Sequence, residues 1–435
     1  MDPTTRDNTT RDATRDALRA VRAARPMRPF RGVRRSDEAV GDERAAARPV
    51  VTELRLSGFR SHRGAVFPIR PLTLFAGASG SGKSAALQAY EALAGLGAGA
   101  ALGKVFPDPS GCVPESASAD AQGRRGFRIG CTTDGPAGPV RLDLAVQAEP
   151  RLRVVGERLT GGDGRTLLAT ALRDPARRSV HAEWCTAGPA PVTRAPLPDD
   201  RLATALLPLR VAGKDDGQLR VLAAAEQTLL ALRSVFPCDP RPYLMRQPVA
   251  PGEGRLRRGC DNLAEVLYRT RADCTRRHAR LTAMARAGCA GAVRGLDAEL
   301  LPDGTVRGTL ERTVPVRRGS AGGVAERGGE RVVGTPLGRL GDGELRYLAL
   351  ALVLLTGPRV LAVDQAAEVP GPMQALTVVA DGFDRDLDVR QARELTSLAA
   401  EICADGHMRL IGAVGETGAG AARECQGAAV VDLTP

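Results

Sequence analysis

Eight consecutive residues in the first quarter of the chain restrict its fold more than any other feature. The pattern G-x-x-x-x-G-K-[ST] of a phosphate-binding loop (P-loop) is matched by Gly77, Ala78, Ser79, Gly80, Ser81, Gly82, Lys83 and Ser84. Glycines in this pattern allow successive backbone N–H groups to point inward at a phosphate. Lys83 is then expected to contact the β- and γ-phosphates, and the Ser84 hydroxyl to bind Mg²⁺. The pattern therefore predicts a site for a nucleotide and Mg²⁺.

The residues on either side of the P-loop favour the same interpretation. The segment Pro71–Ala76 is apolar and predicts a short strand, and a helix is predicted to begin at Ala85. The N-terminal dipole of such a helix favours a bound anion. Because the chain has only three lysines, a chance match to a pattern that requires one is rare.

Composition excludes several classes of protein. The chain has 435 residues, 43% of them hydrophobic, and no apolar run reaches the roughly 18 residues that a membrane span requires. The charged N-terminus is unlike a signal peptide, and the nine cysteines include no C-x-x-C pair. We therefore expect a cytoplasmic protein that makes no membrane contact.

The charge balance leaves the question of a nucleic-acid partner open. The net charge of +11 comes from 61 basic and 50 acidic residues, and the arginine pairs are scattered with acids between them. This distribution favours a solvated surface, and contact with DNA or RNA phosphates is the alternative. With 3% aromatic residues, the sequence argues against surfaces on which bases stack.

Residues 1–49 form a separate zone, in which Thr-Arg-Asp recurs and large apolar residues are nearly absent. Such a segment cannot bury a core, so we expect it to be disordered. From residue 50 onward, strands are predicted at Val51–Leu56, Ala65–Ile69, Phe127–Thr132, Val140–Ala148, Arg151–Leu159, Arg359–Val363 and Met408–Val414. Helices are predicted at Gln218–Phe236, Asn262–Arg286, Gly343–Leu355 and Gln391–Ala404, and a loop at Arg318–Arg331. Strands that alternate with helices predict an α/β fold.

A second motif lies far downstream of the P-loop. The turn Leu340-Gly341-Asp342-Gly343-Glu344 opens an apolar helix, and the strand Arg359–Val363 ends in Asp364. In P-loop proteins an acid in such a position holds the magnesium ion. Each feature is weak alone, but their order after a P-loop strengthens both.

Together these segments resemble a known family. Leu56–Ser61 is similar to the opening strand of RecF-like and SMC-like ATPases, Leu340–Leu355 looks like their ABC signature motif and helix, and Val360–Asp364 resembles their Walker B strand. The spacing, without a coiled coil, looks most like RecF and the heads of OLD-family (overcoming-lysogenisation-defect) nucleases, which are AAA family ATPases. The chain after Asp364 is too short for the Toprim nuclease domain of complete OLD proteins.

The resemblance implies a P-loop NTPase fold of ABC/RecF type, with an antiparallel lobe and a helical insertion. It implies one ATPase head over 50–435, in which 50–100 carries the P-loop, 101–334 completes the first lobe with the insertion, and 335–435 carries the signature and Walker B motifs. ATP and Mg²⁺ are the implied cofactors, with Ser84 and Asp364 as metal-binding residues. The implied partner is a second copy: the head dimerises head-to-tail on ATP, and Gly341, Asp342, Gly343 and Glu344 act across the interface.

Three departures from the family pattern bear on hydrolysis. Gly341 stands where the family usually has a serine, Gln365 stands where it has the catalytic glutamate, and no histidine follows Met408–Val414. Glutamine can orient a water molecule but cannot accept its proton, so the chemical step is expected to be slow. Glu368 lies close in sequence and is a candidate substitute.

The leading hypothesis is therefore a slow ATPase whose dimerisation is gated by ATP and whose role lies in DNA metabolism or phage defence. Two alternatives remain: an ATP-binding regulatory or scaffold module without turnover, and a P-loop kinase that acts on a small molecule. The acidic run Asp381, Asp384, Asp386 and Asp388 is interpreted as a solvated loop or a helix cap.

Overall fold

A computed structural model of the chain describes residues 48–187, 192–315, 330–357, 360–361 and 375–434. It has a mixed α/β architecture with three sheets. The segment 1–47, most of the predicted loop at 318–331, and the predicted metal-binding and catalytic residues Asp364, Gln365 and Glu368 lie outside the described residues.

A parallel sheet of five strands carries the P-loop. Its strands, in spatial order, are β10 (Val235–Cys238), β14 (Leu376–Ala380), β15 (Met408–Ala413), β3 (Leu72–Ala76) and β16 (Ala428–Asp432). The three central strands are buried throughout because helices cover both faces of the sheet, which explains their continuous apolar sequences. Since all five strands run in the same direction, their carboxyl ends meet at one edge, and the P-loop leaves the sheet there.

Helices on the two faces complete this layer. Helix α1 (Lys83–Gly97) follows the P-loop and packs on one face, and α4 (Asp216–Arg233) packs against α1. Helices α9 (Val389–Ala404) and α10 (Glu416–Glu424) pack on the other face. Two short helices, α2 (Leu102–Val105) and α3 (Ala203–Leu206), lie between α1 and α4 in sequence, and α5 (Pro242–Met245) follows β10.

An antiparallel sheet of eight strands packs against α1 and α4. Its strands, in spatial order, are β2 (Ala65–Pro68), β1 (Val50–Ser57), β4 (Arg125–Asp134), β5 (Val140–Glu149), β6 (Arg153–Gly161), β7 (Thr166–Ala171), β8 (Ser179–Cys185) and β9 (Val192–Pro198). Apolar residues alternate along β4 and β5 and face the shared core, as one-sided burial requires.

A third, smaller unit leads into the signature helix. Helices α6 (Leu263–Asp273) and α7 (Thr275–Gly288) pack on an antiparallel sheet of β11 (Ala292–Leu300), β12 (Val306–Pro315) and β13 (Glu330–Pro336). Helix α8 (Asp342–Leu355) follows and is buried along nearly its whole length.

The structure confirms, within a few residues, the predicted strands β1 to β6 and β15 and the predicted helices α8 and α9. Two helix predictions are wrong in part. The predicted helix Asn262–Arg286 is two helices, because Cys274 has an extended backbone (φ −153°, ψ 86°). The helix predicted to reach Phe236 ends at Arg233, since Val235 and Phe236 already belong to β10 and Pro237 cannot continue a helix.

Candidate nucleotide-binding site

Three glycines of the P-loop have backbone conformations that residues with a side chain rarely adopt. Gly77, Gly80 and Gly82 have φ values of 145°, 83° and 95°, in the region that favours glycine. A Cβ atom on Gly77 would lie 2.4 Å from the Leu433 carbonyl oxygen, because the chain after β16 runs directly beside the start of the loop. The loop is therefore fixed from outside by the last strand of the sheet.

Lys83 lies over the loop that precedes it. Its Nζ donates hydrogen bonds to the carbonyl oxygens of Gly77 (2.6 Å) and Ala78 (2.9 Å). The side chain is only partly buried. The ammonium group is thus held by neutral carbonyls at the mouth of the loop, where a phosphate would offer it stronger, charged acceptors.

Ser84 contacts an acid that the sequence analysis did not assign to the site. The Ser84 hydroxyl donates to Asp381 Oδ1 at 3.1 Å, across 297 residues of sequence. Asp381 follows β14 directly, and only β15 separates β14 from the P-loop strand β3. A serine hydroxyl and a carboxylate at this distance are two oxygen donors of the kind that Mg²⁺ prefers.

The signal for Asp381 was present in the sequence. Leu376–Ala380 is an apolar run that ends in an aspartate, just as Arg359–Val363 ends in Asp364, and only the second of these patterns was read as a metal-binding strand. The interpretation of the acidic run as a solvated loop or a helix cap is correct for Asp388, which caps α9, whereas Asp384 is not solvated but buried at the start of α10. Asp384 accepts hydrogen bonds from the backbone amides of Gly415 and Gly418.

The residue after Asp381 is a glycine in a restricted conformation. Gly382 has φ +67°, and a Cβ atom there would lie 2.8 Å from Arg385 Nε. Its carbonyl oxygen accepts a hydrogen bond from Arg346 Nη2 at 2.9 Å. Arg346 is buried in α8, and that burial lowers the pKa of its guanidinium. Backbone and neighbours together therefore disfavour any side chain at position 382.

A hairpin tip supports the P-loop from the antiparallel sheet. His62 is buried, and its Nε2 lies 3.0 Å from the Gly82 carbonyl oxygen. A Cβ atom on Gly82 would lie 2.6 Å from both this nitrogen and Ser61 Oγ. Arg60, at the same tip, is exposed and forms no salt bridge within the part of the chain that the structure describes. None of these contacts was predicted, because the two segments are 20 residues apart and no local pattern joins them.

The predicted signature turn is held by charged contacts of its own. Gly341 precedes α8, and its amide donates to Glu344 Oε2 at 3.3 Å. Glu344 Oε1 accepts from the Ala290 amide (2.9 Å) and from Arg312 Nη2 (2.7 Å). Asp342 pairs with Arg246 at 2.6 Å. Among the described residues, none of these partners belongs to the P-loop.

Gly343 brings the signature turn close to the segment that follows Asp381. A Cβ atom on Gly343 would lie 2.2 Å from the Asp386 carbonyl oxygen. Only a glycine allows this approach without a backbone shift. The signature turn therefore packs against the segment 381–386, which follows β14.

Comparison with known proteins gives structural neighbours only. Models of protein families and curated protein sequences give no match. The solved structures that this chain is similar to are SMC head domains. One is an SMC head bound to the C-winged helix domain of ScpA, with 14% identity and a TM-score of 0.42.

Two further SMC heads show the same coverage. The SMC head domain from Thermotoga maritima has 13% identity and a TM-score of 0.37. An SMC head with an extended coiled coil, bound to the C-terminal domain of ScpA derived from Pyrococcus furiosus, has 12% identity and a TM-score of 0.34. Each of the three matches covers 86% of this chain and 92% of the other. Within the described residues, no helix is both long and apolar enough to cross a membrane.

Proposed function

We propose that the protein binds ATP with Mg²⁺ in the P-loop and hydrolyses it slowly. The observation that carries this proposal is the 3.1 Å contact between Ser84 and Asp381. It joins the last residue of the P-loop to an acid at the end of a nearby parallel strand, which is the arrangement in which P-loop proteins hold the metal. Asp381 therefore takes the metal-binding role that the sequence analysis gave to Asp364.

The residues of the P-loop have separate roles in this proposal. The backbone amides of Gly77–Ser84 surround the phosphates, and Lys83 exchanges its two carbonyl acceptors for oxygens of the β- and γ-phosphates. Ser84 and Asp381 hold Mg²⁺, which neutralises charge that develops on the γ-phosphate. His62 keeps the loop in place through Gly82.

ATP also closes a head-to-tail homodimer in this proposal. The side chains of the signature turn have partners within the chain, Arg246, Ala290 and Arg312, and the Gly341 amide donates to Glu344. This leaves the backbone amides after Gly341 as the groups to meet a second copy's nucleotide. This arrangement, a cytoplasmic location and a role with DNA are proposed from the resemblance to RecF-like and SMC-like ATPases.

A specific observation favours one alternative, an ATP-binding module without turnover. If Asp381 holds the metal, the next position is Gly382, which has no side chain to accept a proton from water. Neither this residue nor Gln365 supplies the carboxylate that the family uses. The two functions differ in a single measurable quantity, the release of phosphate.

Calorimetric titration of the purified protein with ATP, with and without Mg²⁺, tests the binding proposal. We expect Lys83→Ala to weaken MgATP binding at least tenfold, and Asp381→Asn to remove the contribution of Mg²⁺ to the affinity. Asp405→Asn is the matched control, since Asp405 is exposed and lies beyond the opposite end of the sheet, before β15 begins. Wild-type affinity for MgATP in both Lys83→Ala and Asp381→Asn would contradict the proposal.

A further inference from the structure

The chain that follows β15 runs between the two parts of the candidate site, the P-loop and the turn that begins with Asp381. The Val414 amide donates to the Phe75 carbonyl at 2.9 Å, two residues before the P-loop begins. The next amide, Gly415, donates to both carboxylate oxygens of Asp384 at 2.9 and 3.1 Å. Glu416 is the next residue, so it leaves the sheet between the P-loop and the turn that begins with Asp381.

The position of β15 in the sheet supports this placement. β15 pairs with β3 on one side and with β14 on the other. Neighbouring strands lie about 4.8 Å apart, so the backbone that follows β15 leaves the sheet about one strand spacing from the ends of β3 and β14. Glu416 begins α10, and its side chain is exposed.

Three other described acids at this edge of the sheet have partners. Asp381 accepts from Ser84, and buried Asp384 accepts from Gly415 and Gly418. Asp432, at the end of β16, pairs with Arg423 at 2.5 Å. Glu416 has no hydrogen bond or ion pair from its side chain within the described residues. Asp386, five residues after Asp381, likewise has no side-chain hydrogen bond or ion pair within the described residues, but its charge lies near Arg346. Of the two, Glu416 is the one that follows the strand next to β3, so it is the carboxylate placed for a reacting group at the P-loop.

We infer that Glu416 is the general base of ATP hydrolysis in this chain, an inference that rests on the proposed function. One Glu416 carboxylate oxygen accepts a proton from the attacking water as the water oxygen forms a bond to the γ-phosphorus. The bond from the γ-phosphorus to the β–γ bridging oxygen breaks, and ADP leaves with that electron pair. Glu416 then loses the proton to solvent, and inorganic phosphate departs. The carboxylate of Glu416 thus comes from the segment after β15, the strand between β3 and β14, whereas position 382 supplies no carboxylate.

Phosphate release at saturating MgATP, measured with the full chain, tests this inference. Because general bases contribute about 10²–10⁴-fold to rates, we expect Glu416→Gln to reduce release at least about 100-fold while MgATP affinity stays within about twofold. Glu416→Asp retains the carboxylate and is expected to keep part of the activity. Glu424→Gln, in the last turn of the same helix, is the matched control and should hydrolyse like the wild type. Lys83→Ala gives the background from contaminating phosphatases.

Two results would overturn the inference and leave the binding proposal intact. One is a Glu416→Gln protein that binds MgATP and releases phosphate at the wild-type rate. The other is a wild-type protein that binds MgATP in the titration but releases no phosphate above the Lys83→Ala background. A wild type that binds no MgATP would instead overturn the proposed function, and the role of Glu416 with it. Thermal unfolding of each variant separates a chemical defect from a folding defect.

Discussion

At the scale of single residues, the backbone at Gly382 restricts the chemistry available beside Asp381. Its φ of +67° is strained for any residue with a side chain, and Arg385 lies where a Cβ atom would be. Arg346, buried in α8, fixes the same peptide through its carbonyl oxygen. A catalytic carboxylate cannot simply be introduced at this position by substitution, even though the metal-binding role proposed for Asp381 would make 382 the position for one.

The first prediction is that Gly382→Glu destabilises the fold without raising phosphate release. A side chain forced into this backbone conformation costs about 1–3 kcal/mol, and its carboxylate would lie against Arg385 rather than near water. Denaturant unfolding and a phosphate-release assay measure both effects. Gly103→Glu is the control, because a Cβ atom at Gly103 meets nothing within 4 Å. Faster hydrolysis by a stable Gly382→Glu protein would contradict the prediction.

A second prediction concerns Glu344, which holds the signature turn. Glu344→Ala leaves Arg312 without its carboxylate and the Ala290 amide without its acceptor. An unpaired, largely buried polar group costs about 1–3 kcal/mol, so we expect a loss of stability in that range by denaturant unfolding. Glu299→Ala removes a pair with Arg307 that is roughly half exposed and should cost much less. Equal losses in the two variants would show that Glu344 is an ordinary surface acid.

At the scale of elements, the hairpin between β1 and β2 acts as a support for the P-loop. Its tip places buried His62 against the Gly82 carbonyl and packs the imidazole 5.4 Å from the Phe67 ring. The contact comes from a different sheet than the P-loop strand. Binding at the loop therefore depends on the packing of the antiparallel sheet against α1.

We expect His62→Ala to weaken MgATP binding several-fold and to lower the unfolding temperature, because it removes a buried contact at the last glycine of the loop. Titration calorimetry and thermal unfolding measure the two effects. His181→Ala is a suitable control, since His181 lies on β8, five strands from β1 in the antiparallel sheet. Unchanged affinity in His62→Ala would mean that the loop holds its conformation without the hairpin.

The elements also show what the sequence could predict. Periodicity identified β3, α8, α9 and β15 because each is a continuous apolar or amphipathic segment of ordinary length. It failed at Cys274, where one extended residue divides an apparently continuous helix, and at Val235, where a helix pattern runs straight into a strand. Short strands such as β10 and β16 depend on neighbours distant in sequence, and local patterns do not reveal those neighbours.

The site was predictable to the extent that its residues are local. The P-loop is one continuous segment, so the pattern alone located Lys83 and Ser84. The acid that contacts Ser84 is 297 residues away in sequence. Two apolar segments are each followed by an aspartate, so the sequence offers two candidates, Asp364 and Asp381, for this acid. Only the order of strands in the sheet brings Asp381 to Ser84, because that order places the end of β14 near the end of β3. The support from His62 likewise requires knowledge of how the two sheets pack.

At the scale of the whole molecule, the proposed dimer depends on the signature turn and not only on the P-loop. The described side-chain partners of the turn lie outside the P-loop, so the turn and the P-loop are two separate parts of the chain, each of which is proposed to face a nucleotide. Head-to-tail pairing of two copies would bring one surface of each type to each nucleotide. The turn is linked to the Asp381 segment through the close approach of Gly343 to Asp386.

The last prediction uses two glycines of this turn, which differ in the space around them. A Cβ atom at Gly343 would lie 2.2 Å from the Asp386 carbonyl, whereas one at Gly341 meets nothing within 4 Å. Gly343→Ala should therefore shift the turn and prevent ATP-driven dimerisation while MgATP binding persists. Gly341→Ser adds a hydroxyl in open space and should leave the dimer intact or strengthen it. Light scattering with MgATP measures the mass of each variant. If wild type and both variants have the same mass, the signature turn has no role between subunits, and the P-loop works within a single chain.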